Sequence, residues 1–231
     1  MKISIRGPIV SSNNHRFYEW YGLEATSPKS VNDALIRGNG EQAEVEINSG
    51  GGEIFAASEI YTALRNYKGG VHIRIVGLAA SAASIIAMAG ESEMTPTGMM
   101  MIHNVQTSAD GDYRQMEHTA NVLRDANHAI LSAYAAKTGR PEKEIAAMMD
   151  AETWVTAERA VELGLVDHVM DLGGGQKPLA ADFYSGMLSE DALKRAENLI
   201  KNQAAGPGFF MPERAQAEAK LNFLRLKGEL K

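Results

Sequence analysis

Four groups of residues in this chain have types and spacings suited to acyl transfer. Ser81 stands in Ala79-Ala80-Ser81-Ala82-Ala83, where a strand carrying alternating Val71, Ile73 and Ile75 breaks at Gly77 and hands over to an Ala-rich stretch of helical propensity ending at Gly90. At such a junction the unpaired backbone N–H groups and the positive end of the helix dipole favour an oxyanion, which a nucleophilic serine needs. A plain N-cap serine would occupy the same place. Upstream, Asn48-Ser49-Gly50-Gly51-Gly52 joins a strand to a helix. Three glycines let the backbone approach a ligand closely or take positive φ with its amides outward, so the loop is a candidate anion or carbonyl cradle, or else a flexible turn. It lacks the Gly-Lys-Ser/Thr ending of a nucleotide P-loop. His103 closes the apolar strand Met99 to Ile102, at the sheet rim where sites form, although a histidine there is by itself more often a hydrogen-bonded structural one. Asp150-Ala151-Glu152-Thr153-Trp154 supplies an acidic loop.

A Gly-rich loop, a junction serine, a strand-end histidine and a later acid are the parts of a serine hydrolase. The serine is not in a G-x-S-x-G elbow, which disfavours the α/β-hydrolase fold, and the order Ser, His, acid differs from the chymotrypsin and subtilisin orders as well. The chain has no cysteine, so thiolate nucleophiles, thiolate metal sites and disulfides are excluded. His118 and His128 fall on different faces of one predicted helix, and His15, His72 and His168 have no ligand-like spacing. No metal is expected.

The elements that must position these groups alternate between strand and helix. A strand through Ile3, Ile5 and Ile9 is broken by Gly7-Pro8, and Ser11 to Gly22 is read as irregular. Ser27-Pro28 caps a helix ending at Gly38, and the strand Ala43 to Ile47 leads through the glycine loop to a helix from Glu53 to Tyr67. After Met99 to Ile102 comes a long helix, Asp112 to Lys137, with Met116, Leu123 and Ile130 on one stripe. A short helix Pro141 to Met149, a helix capped by Thr156 and closed by Gly164, and a strand Leu165 to Met170 follow. The pattern predicts an α/β fold of parallel βαβ units with right-handed crossovers.

With 231 residues, 45% apolar and 23% charged, the chain suits one α/β core and an appendage. No apolar run approaches the roughly 18 residues of a membrane span. Met1-Lys2-Ile3-Ser4-Ile5-Arg6 does not begin a signal peptide, so a cytoplasmic location is expected. A net charge of −6 argues against general nucleic-acid binding. From Gly173 the composition changes: a Gly173-Gly174-Gly175 linker, a polar helix over Ser189 to Ala204, the breaker Gly206-Pro207-Gly208, the apolar patch Phe209 to Pro212 and an amphipathic helix over Glu213 to Leu226. Residues 1–172 are expected to be the catalytic domain, and 173–231 a linker with a helical or flexible tail, read as an oligomer contact or mobile appendage.

Four motifs in order, I-N-S-G-G-G at Ile47 to Gly52, G-L-A-A-S-A-A-S at Gly77 to Ser84, M-I-H-N at Met101 to Asn104 and T-A-E-R-A-V-E-L-G-L-V-D at Thr156 to Asp167, resemble the proteolytic subunit of the Clp protease (ClpP), and more narrowly its phage and prophage head-maturation relatives. The resemblance covers about residues 1–170. It implies a ClpP/crotonase-type β/α spiral, a serine endopeptidase activity without cofactor, Ser81 as nucleophile and His103 as general base and acid. It further implies an oxyanion hole of the Gly51 or Gly52 amide and the Ala82 amide, and a peptide laid as an added strand along Gly50, Glu53 and Ile54. The triad acid aligns with Glu152, with Asp150 as the alternative, and Ser84 is read as structural. The long helix Asp112 to Lys137 resembles the one through which two rings stack, which implies a ring-forming homo-oligomer.

The chain departs from the family's Ser-Pro-Gly-Gly by placing Gly50 where proline is usual, and Glu152 replaces the usual Asp. It begins directly at the first strand, without the extension that forms an axial gate, and it carries the 173–231 tail. Both features point to processing of a phage capsid or scaffold protein. Three other readings stand beside this one: a general ATP-dependent Clp proteolytic subunit fed by an unfoldase; a crotonase relative acting on acyl-CoA, which needs no Ser-His pair; and a non-catalytic capsid assembly factor, motivated by Glu152 and Gly50.

Overall fold

Alternating isoleucines build the first strand of the sheet. The computed structural model describes residues 1–172, and the expected linker, the 189–204 and 213–226 helices and the boundary at 173 lie outside the described residues. Strand β1 (Lys2–Arg6) buries Ile3 and Ile5 and pairs in parallel with β2 (Ala43–Ser49), from Lys2 opposite Glu44 to Arg6 opposite Asn48. β2 pairs in parallel with β3 (Val71–Ala80), which is shared by two further parallel neighbours. His72 to Ile75 face β4 (Glu91–Met94), and Leu78 to Ala80 face β5 (Met99–Ile102). β6 (Thr153–Thr156) runs antiparallel to β5, and β7 (His168–Val169) extends β4 in parallel. The molecule is a mixed α/β fold around a sheet dominated by parallel pairs, as the alternation of elements predicts.

Seven helices lie among the described residues: α1 (Ser12–Trp20), α2 (Pro28–Arg37), α3 (Ile54–Arg65), α4 (Ala82–Ala87), α5 (Tyr113–Thr138), α6 (Glu142–Asp150) and α7 (Ala157–Leu163). Ile5, Val45, Ile47, Ile73 and Ile75 form one core with Ile60 and Leu64 of α3 and Ile86 of α4. The other side of the same strands carries charge. Glu46 is buried there between Lys2 (2.7 Å) and the Arg74 guanidinium (3.7 Å), and Arg74 Nε donates to Glu93 at 2.6 Å. Pairing each carboxylate with a cation lets these groups sit on a sheet face with little desolvation cost left uncompensated. None of the described helices is long and apolar enough to cross a membrane.

Local signals placed several boundaries. Ser27 accepts from Ser30 N and Ser30 Oγ accepts from Ser27 N, a capping box with Pro28 at the first helical position. Asp112 caps α5 in the same reciprocal way with Gln115, and Thr156 accepts from Arg159 N at the start of α7.

Six expectations are corrected. β3 does not break at Gly77 but runs on to Ala80. There, two extra residues enter the β2–β3 ladder, since Ile47 faces Ile75 while Ser49 faces Ala79. Asn48 fills the bulge, its Oδ1 accepting from Leu78 N at 3.1 Å, and a Cβ on Gly77 would lie 2.5 Å from that oxygen. An isolated glycine in a strand marks a bulge as readily as an end. The helix after Ser81 is the short α4 rather than a run to Gly90. Ser11 to Gly22 contains α1, whose Phe17 and Tyr18 are buried. Thr153 and Trp154 belong to a strand rather than a loop, held by pairing to β5 that no local pattern announces. Leu165 and Val166 are buried outside the ladder, leaving β7 only two residues long. On α5, burial is confined to Ile130, Leu131, Ala133 and Tyr134; Met116 is exposed.

The C-terminal half of α5 is clamped to the edge of the sheet. Lys137 Nζ donates to Gly90 O at 2.8 Å and to Asp167, which also accepts from Ser92 N (2.7 Å) and Ser92 Oγ (3.0 Å). Burial pushes the Asp167 carboxyl up, but the Lys137 and Ser92 bonds outweigh it and hold it below its ordinary value. The resulting stabilisation is complete above the ordinary Asp range and is lost as pH falls through the lowered value. Asp167→Asn is therefore expected to lower Tm by a few degrees at pH 7 and by progressively less as pH falls towards the Asp range, measured by thermal denaturation.

Candidate active site

Ser81 leaves β3 with φ 54° and ψ −126°, a conformation that L-residues populate only when their surroundings impose it, at a cost on the order of 1–3 kcal/mol. It is imposed here by the sheet: Ser81 N donates to Met101 O at 2.9 Å, continuing the β3–β5 pairing. An N-cap serine would have extended backbone and accept from the helix's first turn. Ser81 does neither. Its Oγ instead meets His103 Nε2 at 2.7 Å. The register of β3 on β5, with Ala80 opposite Met101, is what brings the two side chains to the same rim. Beyond His103, Val105 N donates to Asn127 Oδ1 of α5 at 2.7 Å, which fixes the segment leaving the strand.

Burial lowers the His103 pKa below its ordinary value, and the negative charge of Glu152 opposes that shift. His103 is therefore neutral at pH 7, with one ring nitrogen free to accept a proton. Its Nδ1 is buried and has no hydrogen-bond partner. Both candidate acids are engaged elsewhere. Glu152 Oε1 accepts from Trp154 Nε1 at 3.3 Å, and Asp150 Oδ1 accepts from Asn104 Nδ2 at 2.8 Å. Glu152 also takes positive φ, 47°, at the turn into β6. Of the two carboxylates, only Glu152 acts on the histidine, and it does so through charge without contact.

The glycine loop packs directly on the serine. Gly51 has φ 97°, and a Cβ there would lie 2.6 Å from Ala80 O, 2.8 Å from Ser81 Cβ and 2.9 Å from Ala82 N. The far edge of the loop is occupied by a segment that sequence reasoning missed. Ile9 N donates to Gly51 O (2.9 Å) and Glu53 N to Ile9 O (2.8 Å), a parallel bridge between Ile9 and Gly52. Gly7-Pro8 was the available signal, since it separates Ile9 from β1, but nothing local says where Ile9 then docks. The Gly51 amide is also engaged on its own loop, donating to Ser49 Oγ at 3.1 Å, while Ser49 Oγ donates to Gly7 O at 2.6 Å. In a parallel bridge the residue opposite Ile9 turns its own N–H and C=O to the other edge. Gly52 thus presents its amide away from Ile9, whereas the Gly51 amide is already bonded.

Among the residues expected along the peptide edge, Glu53 is turned towards the N-terminal segment: its amide is bonded to Ile9, and its carboxylate accepts from Asn14 Nδ2 at 3.2 Å. Gly50 is exposed and Ile54 begins α3. No cluster of three or more His, Asp or Glu with metal-site geometry occurs among the described residues.

A sheet of this topology thus carries at one rim a serine forced into positive φ, a histidine at hydrogen-bond distance and a glycine loop packed against the serine. Residues 35–172 match the family model described as Clp protease, and the chain belongs to that family. Among its relatives is the "ATP-dependent Clp protease proteolytic subunit" of Bacteroides fragilis (strain ATCC 25285), 29% identical over 134 residues that make up 57% of this chain and 65% of that protein. The protein of the same description from Deinococcus radiodurans is 28% identical over 134 residues, 57% of this chain and 66% of its own length. This chain thus spans a little less than two thirds of the relatives that it matches.

Proposed function

We propose that this protein is a serine endopeptidase in which Ser81 is the nucleophile, His103 the general base and acid, and Glu152 the residue that orients and electrostatically supports the imidazole. The observation that carries the reading is the 2.7 Å contact between His103 Nε2 and an Ser81 Oγ held in a strained elbow. Ser81 Oγ attacks the scissile carbonyl carbon as its proton passes to His103 Nε2. The carbonyl oxygen becomes an oxyanion, received by the amides of Gly52 and Ala82. Gly51 serves by close packing, since its own amide is bonded to Ser49. Collapse of the tetrahedral species breaks the C–N bond, and the imidazolium returns the proton to the leaving amine. Water, deprotonated by His103, then hydrolyses the acyl-enzyme. Peptide lies along the edge formed by Gly50, Gly52 and Ile54, opposite the one taken by Ile9.

The neutral state of His103 sets a pH expectation. The acid limb of the acylation rate falls below the ordinary imidazole range, because burial lowers the His103 pKa. Glu152→Gln removes the charge that opposes this shift, so the limb moves to still lower pH while the plateau drops tenfold or more for want of support to the imidazolium. Asp150→Asn is the parallel control and leaves both features in place. An unshifted limb in Glu152→Gln with a shifted one in Asp150→Asn would transfer the role to Asp150.

The substrate proposed is a phage capsid or scaffold protein, cut during head maturation in the host cytoplasm or procapsid. This rests on the ordered motifs and on residues 173–231, which lie beyond the family match. A homo-oligomer of stacked rings is supported by Tyr113, Met116 and Val122, apolar side chains left exposed on the first half of α5. A second reading, a general proteolytic subunit fed by an unfoldase, is favoured by what the relatives are called. Mass spectrometry of products from co-expression with the cognate capsid and scaffold proteins, wild type beside Ser81→Ala, decides between them. Discrete Ser81-dependent cuts support head maturation. Intact partners, with degradation appearing only when an ATPase is supplied, support the second reading, and normal head assembly by Ser81→Ala would favour a non-catalytic assembly factor.

A further inference from the structure

Ser84 is fully buried one turn beyond the nucleophile, and its polar contacts go to two places. Its amide and its hydroxyl both donate to Ser81 O, at 2.9 Å and 2.6 Å. Its Oγ also meets Tyr134 Oη of α5 at 2.7 Å. The carbonyl of Ser81 can only accept, so the Ser84 hydroxyl proton points to Ser81, and the Tyr134 hydroxyl must donate to Ser84. Tyr134 is itself buried, and its phenol is pushed well above its ordinary value by that burial although the Ser84 bond pulls the other way. It remains a donor at every working pH.

The carbonyl that Ser84 holds belongs to the same peptide unit as the Ala82 N–H. That unit is planar and trans, so its N–H points opposite its C=O. Two donors from Ser84 fix the oxygen inward and thereby aim the amide outward, beside Gly51, whose Cβ position would be 2.9 Å from Ala82 N. With one donor lost, the peptide plane can rotate about the strained Ser81 torsions, and the amide moves off the oxyanion.

We infer that Ser84 and Tyr134 are positioning residues for peptide hydrolysis: they form a buried relay from α5 that holds the Ser81–Ala82 peptide plane so that the Ala82 amide faces the developing oxyanion. The inference rests on Ser81 being the nucleophile. The relay also gives α5 two holds on the site, because Asn127, two turns earlier on the same helix, receives the Val105 amide just past His103. One rigid helix sets both the oxyanion donor and the strand end that carries the base.

The test compares wild type with Ser84→Ala, Tyr134→Phe and the double variant Ser84→Ala/Tyr134→Phe. Each is read by Tm, by fluorophosphonate labelling of Ser81, and by kcat and KM on a fluorogenic peptide. Ser84→Ala strands the buried Tyr134 hydroxyl and should lower both stability and turnover. The double variant leaves no stranded hydroxyl, so Tm should return towards that of wild type. Its kcat should nevertheless stay about tenfold to a hundredfold down, with KM within about twofold, because an oxyanion donor acts mainly in the transition state. A double variant that regains wild-type kcat along with Tm would overturn the relay and leave Ser84 and Tyr134 as core packing. Wild type that fails to label at Ser81 would overturn the nucleophile assignment itself, a different failure seen before any relay variant is measured.

Discussion

Ser81→Ala is expected to reduce peptide-bond cleavage by roughly 10⁴- to 10⁶-fold in kcat while leaving the fold intact. The size follows from the proposed role of the hydroxyl as the attacking atom: it is the partner of His103 Nε2 at 2.7 Å, and its removal would abolish the proposed acyl-enzyme route. The reason for the intact fold is that Ser81 is held by its backbone. Its amide is bonded to Met101 O and its carbonyl to Ser84, and alanine can make both bonds at the same φ. The comparison to make is single-turnover cleavage of a fluorogenic peptide, with Tm measured on the same preparations. His103→Ala should fall in the same range, and the double variant should be little worse than either single one, because the two residues act as a unit.

Gly51→Ala should be among the most damaging changes outside the Ser81–His103 pair. The added methyl meets three atoms at once, Ala80 O at 2.6 Å, Ser81 Cβ at 2.8 Å and Ala82 N at 2.9 Å. Real Cβ atoms do not approach backbone this closely, and none of these atoms lies at the end of a flexible side chain. The φ of 97° adds strain on the order of 1–3 kcal/mol. Relief requires the glycine loop to back away from α4, which separates the Gly52 amide from the Ala82 amide and opens the cradle. A loss on the order of 10²–10³ in kcat is expected, the usual cost of one oxyanion donor, together with a measurable fall in Tm. Gly50→Ala serves as the contrast: Gly50 is exposed and lies outside the positive-φ set, so its substitution should be mild.

The parts of the molecule that local chemistry governs were legible in the sequence. The Ser27-Pro28 start of α2, the Thr156 cap and the Gly164 helix end all follow from orphan amides and carbonyls needing partners nearby, or from a left-handed closing residue. Ser81 and His103 were legible as a pair because each sits at the end of a strand, and parallel neighbours β3 and β5 bring such ends to one rim. Non-local pairing was not. The strand at Thr153 to Thr156 exists because β5 offers it an antiparallel edge, and Gly77 continues β3 because Asn48 fills the bulge. Ile9 docks on the glycine loop through two main-chain bonds that carry no side-chain signature. Ser84 shows the same limit from the other direction. Its structural character was readable from its position one turn past Ser81, but its partner on α5 lies fifty residues away in sequence.

The acid is where geometry adds most to the sequence. Motif register aligns the acid with Glu152, with Asp150 as the alternative; Glu152 bears on His103 through its charge, while its carboxylate bonds to Trp154 and the imidazole Nδ1 stays buried without a partner. An unsatisfied buried nitrogen of this kind costs about 1–3 kcal/mol, which any approach of the Glu152 carboxylate would recover. That arrangement explains why Glu152→Gln is expected to move a pH profile as well as a rate.

The most direct test of the central claim is peptide mapping by mass spectrometry after treatment of the folded protein with a fluorophosphonate. The account predicts a single adduct on the peptide carrying Ser81, absent after heat denaturation and absent in His103→Ala. An unlabelled protein that nonetheless cleaves peptide, or an adduct on another serine such as Ser49 or Ser84 with Ser81 unmodified, would contradict it.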